Sequence, residues 1–207
     1  MRKWFLGLAV LVLVPAVGAI TIHVDGDGAD WTEGWIGQDP EDAGIDDDYD
    51  IADVYTTDDS SDLFFRCDVW GTPTLANLNS YYDVLMDLDQ DNTTGYIMHG
   101  VGAEYLLRFE YDAFFMTEVV TLLDENLDPV GGAQAFAAQA GTTEFSIDLD
   151  DIGIGAGHTL DVVYFINNGT GQEDDKTVVY TTTIPEPGTM LLLASGIVGL
   201  AGLARRR

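Results

Sequence analysis

The stretch Leu63-Phe64-Phe65-Arg66-Cys67-Asp68-Val69 decides the fold of this chain. Every second residue, from Leu63 through Phe65 and Cys67 to Val69, is apolar. Successive side chains of a β-strand point to opposite sides of the sheet, so a period of two predicts a half-buried strand. Cys67 is the single cysteine of the chain, which excludes an intrachain disulfide, and we expect it to be a small buried core residue.

The same period of two recurs in eight further segments. These are residues 20–24, 51–56, 82–88, 103–110, 115–123, 143–149, 160–166 and 177–182. Gly, Asp and Asn residues, which favour turns, separate them. About nine short strands joined in this way predict an all-β protein, an antiparallel β-sandwich. Single helical turns are expected at 77–80 and 150–154, and segment 132–140 is ambiguous.

The N-terminus has the organisation of a signal peptide. Arg2 and Lys3 precede an apolar stretch over residues 4–14, and Ala16-Val17-Gly18-Ala19 supplies the small residues that a signal peptidase needs. We therefore expect residues 1–19 to be removed. Residues 20–184 then form one domain, which is long enough to bury a core.

This domain is strongly acidic. The chain holds 36 acidic and 8 basic residues, and within 20–184 three basic residues against 35 acidic ones leave a net charge of −32. Such a field repels nucleic acid, anionic membranes and polyanions, so we expect none of these as partners. High charge is also typical of disorder, but the alternating apolar residues favour a folded domain that is solvated or carries cations.

The C-terminus, residues 185–207, combines Pro185-Glu186-Pro187 with an apolar run over 190–204 and the cluster Arg205-Arg206-Arg207. A helix of the sixteen residues 189–204 would be roughly 24 Å long, slightly short of a bilayer core, and the arginines can extend it by snorkelling. We expect a transmembrane helix with its arginines on the cytoplasmic side and the acidic domain outside. The alternative is an amphipathic or core helix, but only Ser195 is polar within 190–204.

These parts, in this order, resemble the PEP-CTERM sorting signal of Gram-negative bacteria. The resemblance implies recognition and cleavage by an exosortase, a membrane-embedded cysteine transpeptidase, after a transient stay in the inner membrane. It also implies an exported protein at the outer surface or in the extracellular matrix, where proteins of this kind are linked to polysaccharide and biofilm.

The loop Asp87-Leu88-Asp89-Gln90-Asp91-Asn92-Thr93-Thr94-Gly95 follows a predicted strand and is a candidate calcium site. Its carboxylates at Asp87, Asp89 and Asp91 can converge on one hard cation, and Ca²⁺ takes six to eight oxygen ligands. The loop begins like an EF-hand but lacks its sixth-position glycine and has Met98 at the twelfth position. The alternative is a polar hairpin loop with Asx turns.

A second candidate ion-binding group is Asp25, Asp27 and Asp30, whose intervening glycines permit a tight wrap. A third acidic group, Asp46-Asp47-Asp48-Tyr49-Asp50, ends a segment without periodicity that begins at residue 32. A long irregular loop in a small domain is easier to explain if an ion orders it.

Short pieces throughout the domain resemble the family 9 carbohydrate-binding modules and their DOMON-like relatives. They are Val24-Asp25-Gly26 with Asp30-Trp31, Asp53-Val54-Tyr55 with Asp58-Asp59, Leu63-Phe64-Phe65, Asp87-Leu88-Asp89-Gln90-Asp91, Thr94-Gly95-Tyr96, Gly102-Ala103-Glu104-Tyr105-Leu106-Leu107, Glu144-Phe145-Ser146-Ile147-Asp148-Leu149 with Ile152-Gly153, and Leu160-Asp161-Val162-Val163. The resemblance implies a jelly-roll-like sandwich, structural calcium and, in some members, sugar binding between aromatic side chains.

Tryptophans are the candidate sugar platforms, since a pyranose packs well on an indole face. The domain has none after Trp70. We expect Trp31 to pack in the core, which leaves Trp35 and Trp70 as the candidate sugar-binding residues.

No nucleophile, metal-protease or phosphate-loop motif is present. We therefore expect a non-enzymatic protein and expect Glu104 and Glu144, which sit at the edges of strand patterns, to be solvated rather than catalytic. Two functional hypotheses are favoured. One is a calcium-stabilised module that binds neutral polysaccharide, and the other is a structural matrix protein whose acidic faces are cross-linked by divalent ions. A glycan-active enzyme is the third and least favoured.

Overall fold

The computed structural model describes residues 21–59, 61–72, 81–112, 117–130, 134–139, 141–155, 157–167 and 175–184. These all belong to one compact unit, Ile20–Pro187. The expected signal peptide over residues 1–19, the expected transmembrane helix and the expected turn at 77–80 lie outside the described residues.

The described residues form thirteen strands and a single 3₁₀ turn. The strands are β1 (Trp35–Gln38), β2 (Ile51–Asp58), β3 (Asp62–Val69), β4 (Tyr81–Asp87), β5 (Tyr96–Met98), β6 (Val101–Ala103), β7 (Tyr105–Asp112), β8 (Thr117–Asp124), β9 (Gln134–Gln139), β10 (Thr142–Asp148), β11 (Thr159–Asn167), β12 (Asp175–Lys176) and β13 (Tyr180–Thr183). The 3₁₀ turn is Leu149–Asp151, where a helical turn was predicted.

Two sheets form the sandwich, and the pairings between their strands are antiparallel. One has the order β1-β2-β3-β10-β9 and the other β12-β11-β4-β7-β8, with β13 also paired to β11. The main core lies between them, where Phe65 and Phe145 of the first sheet join Leu107 and Tyr164 of the second. The all-β fold with antiparallel sheets is therefore confirmed, although the predicted number of about nine strands was too low.

A third, two-stranded sheet of β5 and β6 accounts for part of the extra strands. Val101 and Ala103 of this hairpin pack with Leu85, Leu106 and Phe165 in a second apolar cluster. The hairpin therefore covers the face of the second sheet that points away from the main core, which explains why β4 is buried at almost every position.

The predicted strand at 20–24 was wrong for its described residues. Ile22 instead packs with Trp31 and Phe64 in a third apolar cluster, on the side of β3 that faces away from the main core. The alternation of this segment reflects burial of one side of an irregular chain rather than sheet pairing. The expectation that Trp31 is a core residue is confirmed, since its side chain is buried.

Candidate metal centre

Three carboxylates meet where β4 ends and β7 begins. One carboxylate oxygen each from Asp87, Asp89 and Glu104 lies within 4.8 Å of the other two. The antiparallel pairing of β4 with β7 brings Glu104 to this place, because its amide donates to the carbonyl of Met86 at 3.0 Å. The hairpin between the strands thus closes on itself with three negative charges at its base.

Asp87 is the buried member of this carboxylate trio. Its residue is 1% exposed, and its Oδ2 accepts a long 3.3 Å hydrogen bond from the amide of Gly102. Its Oδ1 is buried and receives no hydrogen bond. A buried carboxylate oxygen without a donor costs stability unless a cation or a proton satisfies it.

The other two members have partial hydrogen bonding. Glu104 Oε2 accepts from the amide of Leu88 at 2.7 Å. The hydroxyl of Thr94 lies 3.3 Å from both carboxylate oxygens of Asp89. These contacts orient the two side chains toward Asp87 and leave each with free lone pairs.

The electrostatic environment disfavours three ionised carboxylates at this site when no cation is bound. Burial raises the pKa of Asp87, two backbone amides lower it, and the charges of Asp89 and Asp161 raise it again. Burial likewise raises the pKa of Glu104, with Asp89 and Asp87 adding to the effect. The site therefore favours a bound positive charge.

The donor set fits Ca²⁺. All three groups offer hard oxygen atoms, and Ca²⁺ takes these in flexible geometry together with carbonyl oxygens and water. Neither sulfur nor an imidazole nitrogen belongs to the trio, so it does not have the ligands that zinc usually selects.

Asp91 is not brought into the trio. Its Oδ1 accepts hydrogen bonds from the amide of Thr93 at 3.0 Å and from the hydroxyl of the same residue at 2.6 Å, and these bonds lower its pKa. This is the Asx turn considered for the loop. Glu104 takes its place, and the sequence does not single it out, because strand register decides which residue a hairpin after Asp87 returns alongside.

The loop that carries the second predicted ion-binding group, Asp25, Asp27 and Asp30, folds around the carboxylate of Glu144. Glu144 is fully buried, and its Oε2 accepts from the amides of Asp25 at 2.9 Å and Gly26 at 2.7 Å. Its Oε1 accepts from the indole Nε1 of Trp31 at 2.7 Å. The expectation of a solvated Glu144 was wrong, because three donors compensate its burial.

The carboxylates of this loop serve mainly as turn acceptors. Asp25 Oδ1 accepts from the amide of Asp27, and Asp27 Oδ1 accepts from the amide of Ala29. Asp30 Oδ2 accepts from the amide of His23 at 2.6 Å. Among the described residues, the group of three that meets within 4.8 Å is the one at Asp87, so the structure does not gather Asp25, Asp27 and Asp30 in this way.

The two candidate sugar platforms are exposed. Trp35 is 58% exposed and its Nε1 donates to Asp53 Oδ1 at 2.9 Å, while Trp70 is 44% exposed. Trp35 pairs with Tyr55, whereas the amide of Trp70 donates to the carbonyl of Asp50. Five residues of strand separate these positions, roughly 16 Å, so the two indoles form separate platforms.

Cys67 has the environment predicted for it. The residue is 2% exposed within the main core, and burial raises the pKa of its thiol well above the usual value. A thiol in this state is a poor nucleophile, because the thiolate is the reactive form.

Among the residues that the structure describes, no helix has the length and apolar character needed to cross a membrane. The predicted transmembrane segment at 189–204 is not among those residues. Its placement in the inner membrane stays a prediction.

Comparison with known proteins adds one finding about the tail. A family model described as the PEP-CTERM protein-sorting motif matches residues 183–207. No curated protein matches the chain. The motif includes Pro185, Glu186, Pro187 and the three terminal arginines, and it marks the chain as an exosortase substrate that is secreted or carried to the surface.

Proposed function

We propose that this protein is an exported, non-enzymatic β-sandwich whose fold is stabilised by Ca²⁺ bound at Asp87, Asp89 and Glu104. The observation that carries the proposal is the buried, unpartnered Oδ1 of Asp87 beside two further carboxylates. An extracellular destination supports it, because Ca²⁺ is available outside cells and extracellular modules bind it with dissociation constants of about 0.1–1 mM.

The signal peptide and the C-terminal sorting motif define the proposed export route. Signal peptidase removes residues 1–19, and the helix 189–204 holds the protein in the inner membrane of a Gram-negative bacterium until an exosortase cleaves near Pro185-Glu186-Pro187. The acidic domain is then released to the extracellular matrix. A domain with a net charge of −32 gains more from divalent cations there than a neutral domain would.

Thermal unfolding of the full chain in detergent tests the calcium site. We expect 10 mM CaCl₂ to stabilise the domain by about 1.5–3 kcal/mol, which corresponds to roughly 3–12 °C in Tm. Asp89→Asn should remove most of this shift. Asp91→Asn is the matched control, because Asp91 lies two residues further in the same loop but outside the trio.

Magnesium at equal concentration separates site binding from general relief of charge repulsion, since Mg²⁺ demands a stricter geometry. Equal shifts by both ions in the wild type and in Asp89→Asn would contradict a specific site. They would instead favour the structural hypothesis, in which acidic faces are bridged by divalent ions without a defined position.

Polysaccharide binding is a second candidate function, and the fixed indole of Trp35 favours it. The hydrogen bond to Asp53 holds an exposed aromatic face in one orientation, which lowers the entropy lost when a sugar stacks on it. The likeness to family 9 carbohydrate-binding modules, with their jelly-roll-like sandwich, belongs to this same proposal. A neutral glycan is expected because the acidic surface repels anionic ones.

Retention on insoluble neutral polysaccharide tests this candidate. Trp35→Ala should reduce retention by at least fivefold, and Trp70→Ala reports on the second platform. Exchange of Val178, which is 65% exposed and apolar but not aromatic, for alanine is the control. Absence of retention by the calcium-loaded wild type would exclude polysaccharide binding and leave the structural matrix role.

A glycan-active enzyme is the least supported of the three. Glu144 belongs to the first sheet and has its carboxylate saturated by three donors, while Glu104 lies beside the second sheet. The three donors to Glu144 give it a structural role, so it supplies no support for the enzyme hypothesis.

A further inference from the structure

The strand β13 leads directly into the sorting motif. The motif matches residues 183–207, so it begins at the last residue of this strand. The next residue, Ile184, is 2% exposed and belongs to the main core. Its amide donates to the carbonyl of His158 at 2.9 Å, and its carbonyl accepts from the amide of Gly157 at 2.8 Å. The sandwich therefore holds the chain up to the residue that precedes Pro185.

The contacts of β13 itself are mostly at the surface. Thr181 lies opposite Asp161 in the pairing with β11, and its hydroxyl donates to Asp161 Oδ1. The hydroxyl of Tyr180 donates to the carbonyl of Gln38 in β1 at 3.2 Å. All four residues of the strand are exposed or partly exposed. A short strand with few buried side chains is the kind of element that opens locally while the rest of a domain stays folded.

The acidic loop, residues 88–95, contacts the same two residues that hold this C-terminal segment. The carbonyl of Leu88 accepts from His158 Nε2 at 3.0 Å. The side-chain amide of Gln90 donates to Asp161 Oδ1 at 3.1 Å. Leu88 and Gln90 flank one ligand of the carboxylate trio in the sequence, so both neighbours of that ligand are fixed by residues that also hold the C-terminal segment.

Asp161 connects the trio with β13 most directly. It lies opposite Asp87 in the pairing of β11 with β4. Its Oδ1 accepts from both Gln90 of the loop and Thr181 of β13. A single oxygen atom beside the trio thus bridges the loop and the strand.

We propose that Ca²⁺ bound by the trio closes β13 onto β11 and so secures the chain that leads into the sorting motif. The inference rests on the proposed function, because it needs an ion at the trio. When β13 detaches, Asp161 and His158 each lose a partner, and the loop that they hold loses its fixed anchors. The three ligands then converge less often, so the open state binds the ion more weakly. By the same difference in free energy the ion favours the closed state.

This link gives calcium a role at the sorting motif. In the proposed route the ion reaches the domain after export, and β13 closes at that stage. Ile184 then stays in the core while the exosortase acts on the residues that follow it. Without the ion the strand opens more often, and the bonds within residues 180–184 become accessible to other proteases, which cleave the opened state.

Hydrogen exchange of the full chain in detergent, followed by mass spectrometry, measures the opening of β13. The exchange rate of residues 180–184 follows the population of the open state. In 10 mM CaCl₂ we expect this rate to be about 10–100-fold lower than in EDTA, the mass-action limit for an ion with a dissociation constant of about 0.1–1 mM and no affinity for the open state. Equilibrium dialysis of the same samples against radioactive Ca²⁺ shows whether an ion is bound.

Three variants locate the effect. Asp89→Asn removes a ligand of the trio and should abolish the calcium response of residues 180–184. The double variant His158→Ala with Thr181→Val cuts both connections to the loop and leaves the trio intact, so it should bind one ion and respond by less than about threefold. Thr182→Val is the matched control, because this neighbouring threonine points to the other side of the strand and the variant should keep the full response.

Thr181→Val alone replaces the double variant if the latter does not fold, as judged by circular dichroism, or binds no ion. A smaller calcium response in Thr181→Val than in Thr182→Val supports the link. Equal responses in these two single variants would overturn it, because the bridge through Asp161 would then carry no free energy.

The dialysis result keeps this inference separate from the proposed function. A wild type that binds one ion but responds by less than about threefold overturns the link and leaves the calcium site standing. A double variant that binds one ion and keeps the full response has the same meaning, because calcium would then act through the stability of the whole domain. Absence of a bound ion in the wild type overturns both.

Discussion

The indole Nε1 of Trp31 donates a 2.7 Å hydrogen bond to Oε1 of Glu144, a carboxylate that is fully buried. Glu144 Oε2 accepts two further bonds from the amides of Asp25 and Gly26. An acidic side chain of β10 thus fixes the loop that precedes β1. The burial of the Glu144 carboxylate is tolerated because three hydrogen-bond donors point at it.

Glu144→Gln is expected to destabilise the domain by about 2–4 kcal/mol, because a glutamine presents an NH₂ group where two amides or an indole need an acceptor. Denaturant unfolding followed by tryptophan fluorescence measures the change. Glu125→Gln, at an exposed glutamate, should have little effect. Equal stability of the two variants would show that the loop does not depend on this carboxylate.

The period of two was sufficient to find the strands that border the main core. The strand predicted at 63–69 corresponds to β3, Asp62–Val69, and Leu63, Phe65 and Cys67 all face that core. The same rule failed at 20–24, where Ile22 is buried against Trp31 and Phe64 without any strand pairing. Periodicity reports which side of a segment is buried and does not identify what buries it.

The carboxylate sites were harder to predict because strand register decides them. Asp87 and Asp89 are neighbours in the sequence, but Glu104 joins them only through the pairing of β4 with β7. Asp175 is a stronger case, since it belongs to the other sheet and still accepts a hydrogen bond from the amide of Ile51. An alternation pattern contains no information on which strands become neighbours.

Asp83 should make stability depend on pH. Its side chain is fully buried beside Arg108, with Oδ2 2.7 Å from Nη2, yet burial outweighs that partner and raises its pKa from 3.8 to about 6. A raised pKa means that the folded state binds the proton more tightly than the unfolded state. The contribution is therefore fully present below about pH 4 and is lost as the pH rises through 6.

Between pH 7 and pH 4 the wild type should gain about 2–3 kcal/mol relative to Asp83→Asn, which has no proton to bind at this position. Denaturant unfolding in EDTA at four pH values measures the difference. A parallel course for Asp83→Asn would show that Arg108 keeps the buried pair fully ionised in the folded state.

The effect of Glu104→Gln on the stability of the domain should change sign when calcium is added. Without the ion, the glutamine side chain still offers an oxygen to the backbone amide of Leu88, and the repulsion between Glu104 and the carboxylates of Asp87 and Asp89 is removed. The free energy of unfolding is therefore expected to rise by about 0.5–1 kcal/mol. With Ca²⁺ the variant loses a charged ligand and becomes less stable than the wild type. Thermal unfolding in EDTA and in CaCl₂ measures both.

Asp91→Asn is the control for this reversal. Its carboxylate bonds to Thr93 and not to the trio, so the substitution should shift the two unfolding curves equally. Destabilisation by Glu104→Gln in both conditions would indicate that Glu104 serves only as a hydrogen-bond acceptor.

Gly102 sets how closely the acidic loop can approach β6. A Cβ atom at this position would lie 2.1 Å from the carbonyl oxygen of Thr94 and 2.6 Å from that of Asp91. Both are backbone atoms that cannot move without displacing the loop, and the amide of Gly102 is also the donor to Asp87. Gly102→Ala is therefore expected to cost about 2–4 kcal/mol through overpacking and to weaken calcium binding.

Gly155→Ala is the matched substitution, because a Cβ there meets nothing within 4 Å. It should leave stability within about 1 kcal/mol of the wild type, with any gain arising from the reduced freedom of the unfolded chain. Denaturant unfolding gives the stability of both variants, and calcium titration gives their affinity. Because Gly102 contacts the loop and contributes no ligand oxygen to the trio, weaker binding in Gly102→Ala would show that loop position itself sets affinity. Unchanged affinity alongside lost stability would mean that the trio forms independently of the packing of Asp91 and Thr94 against β6.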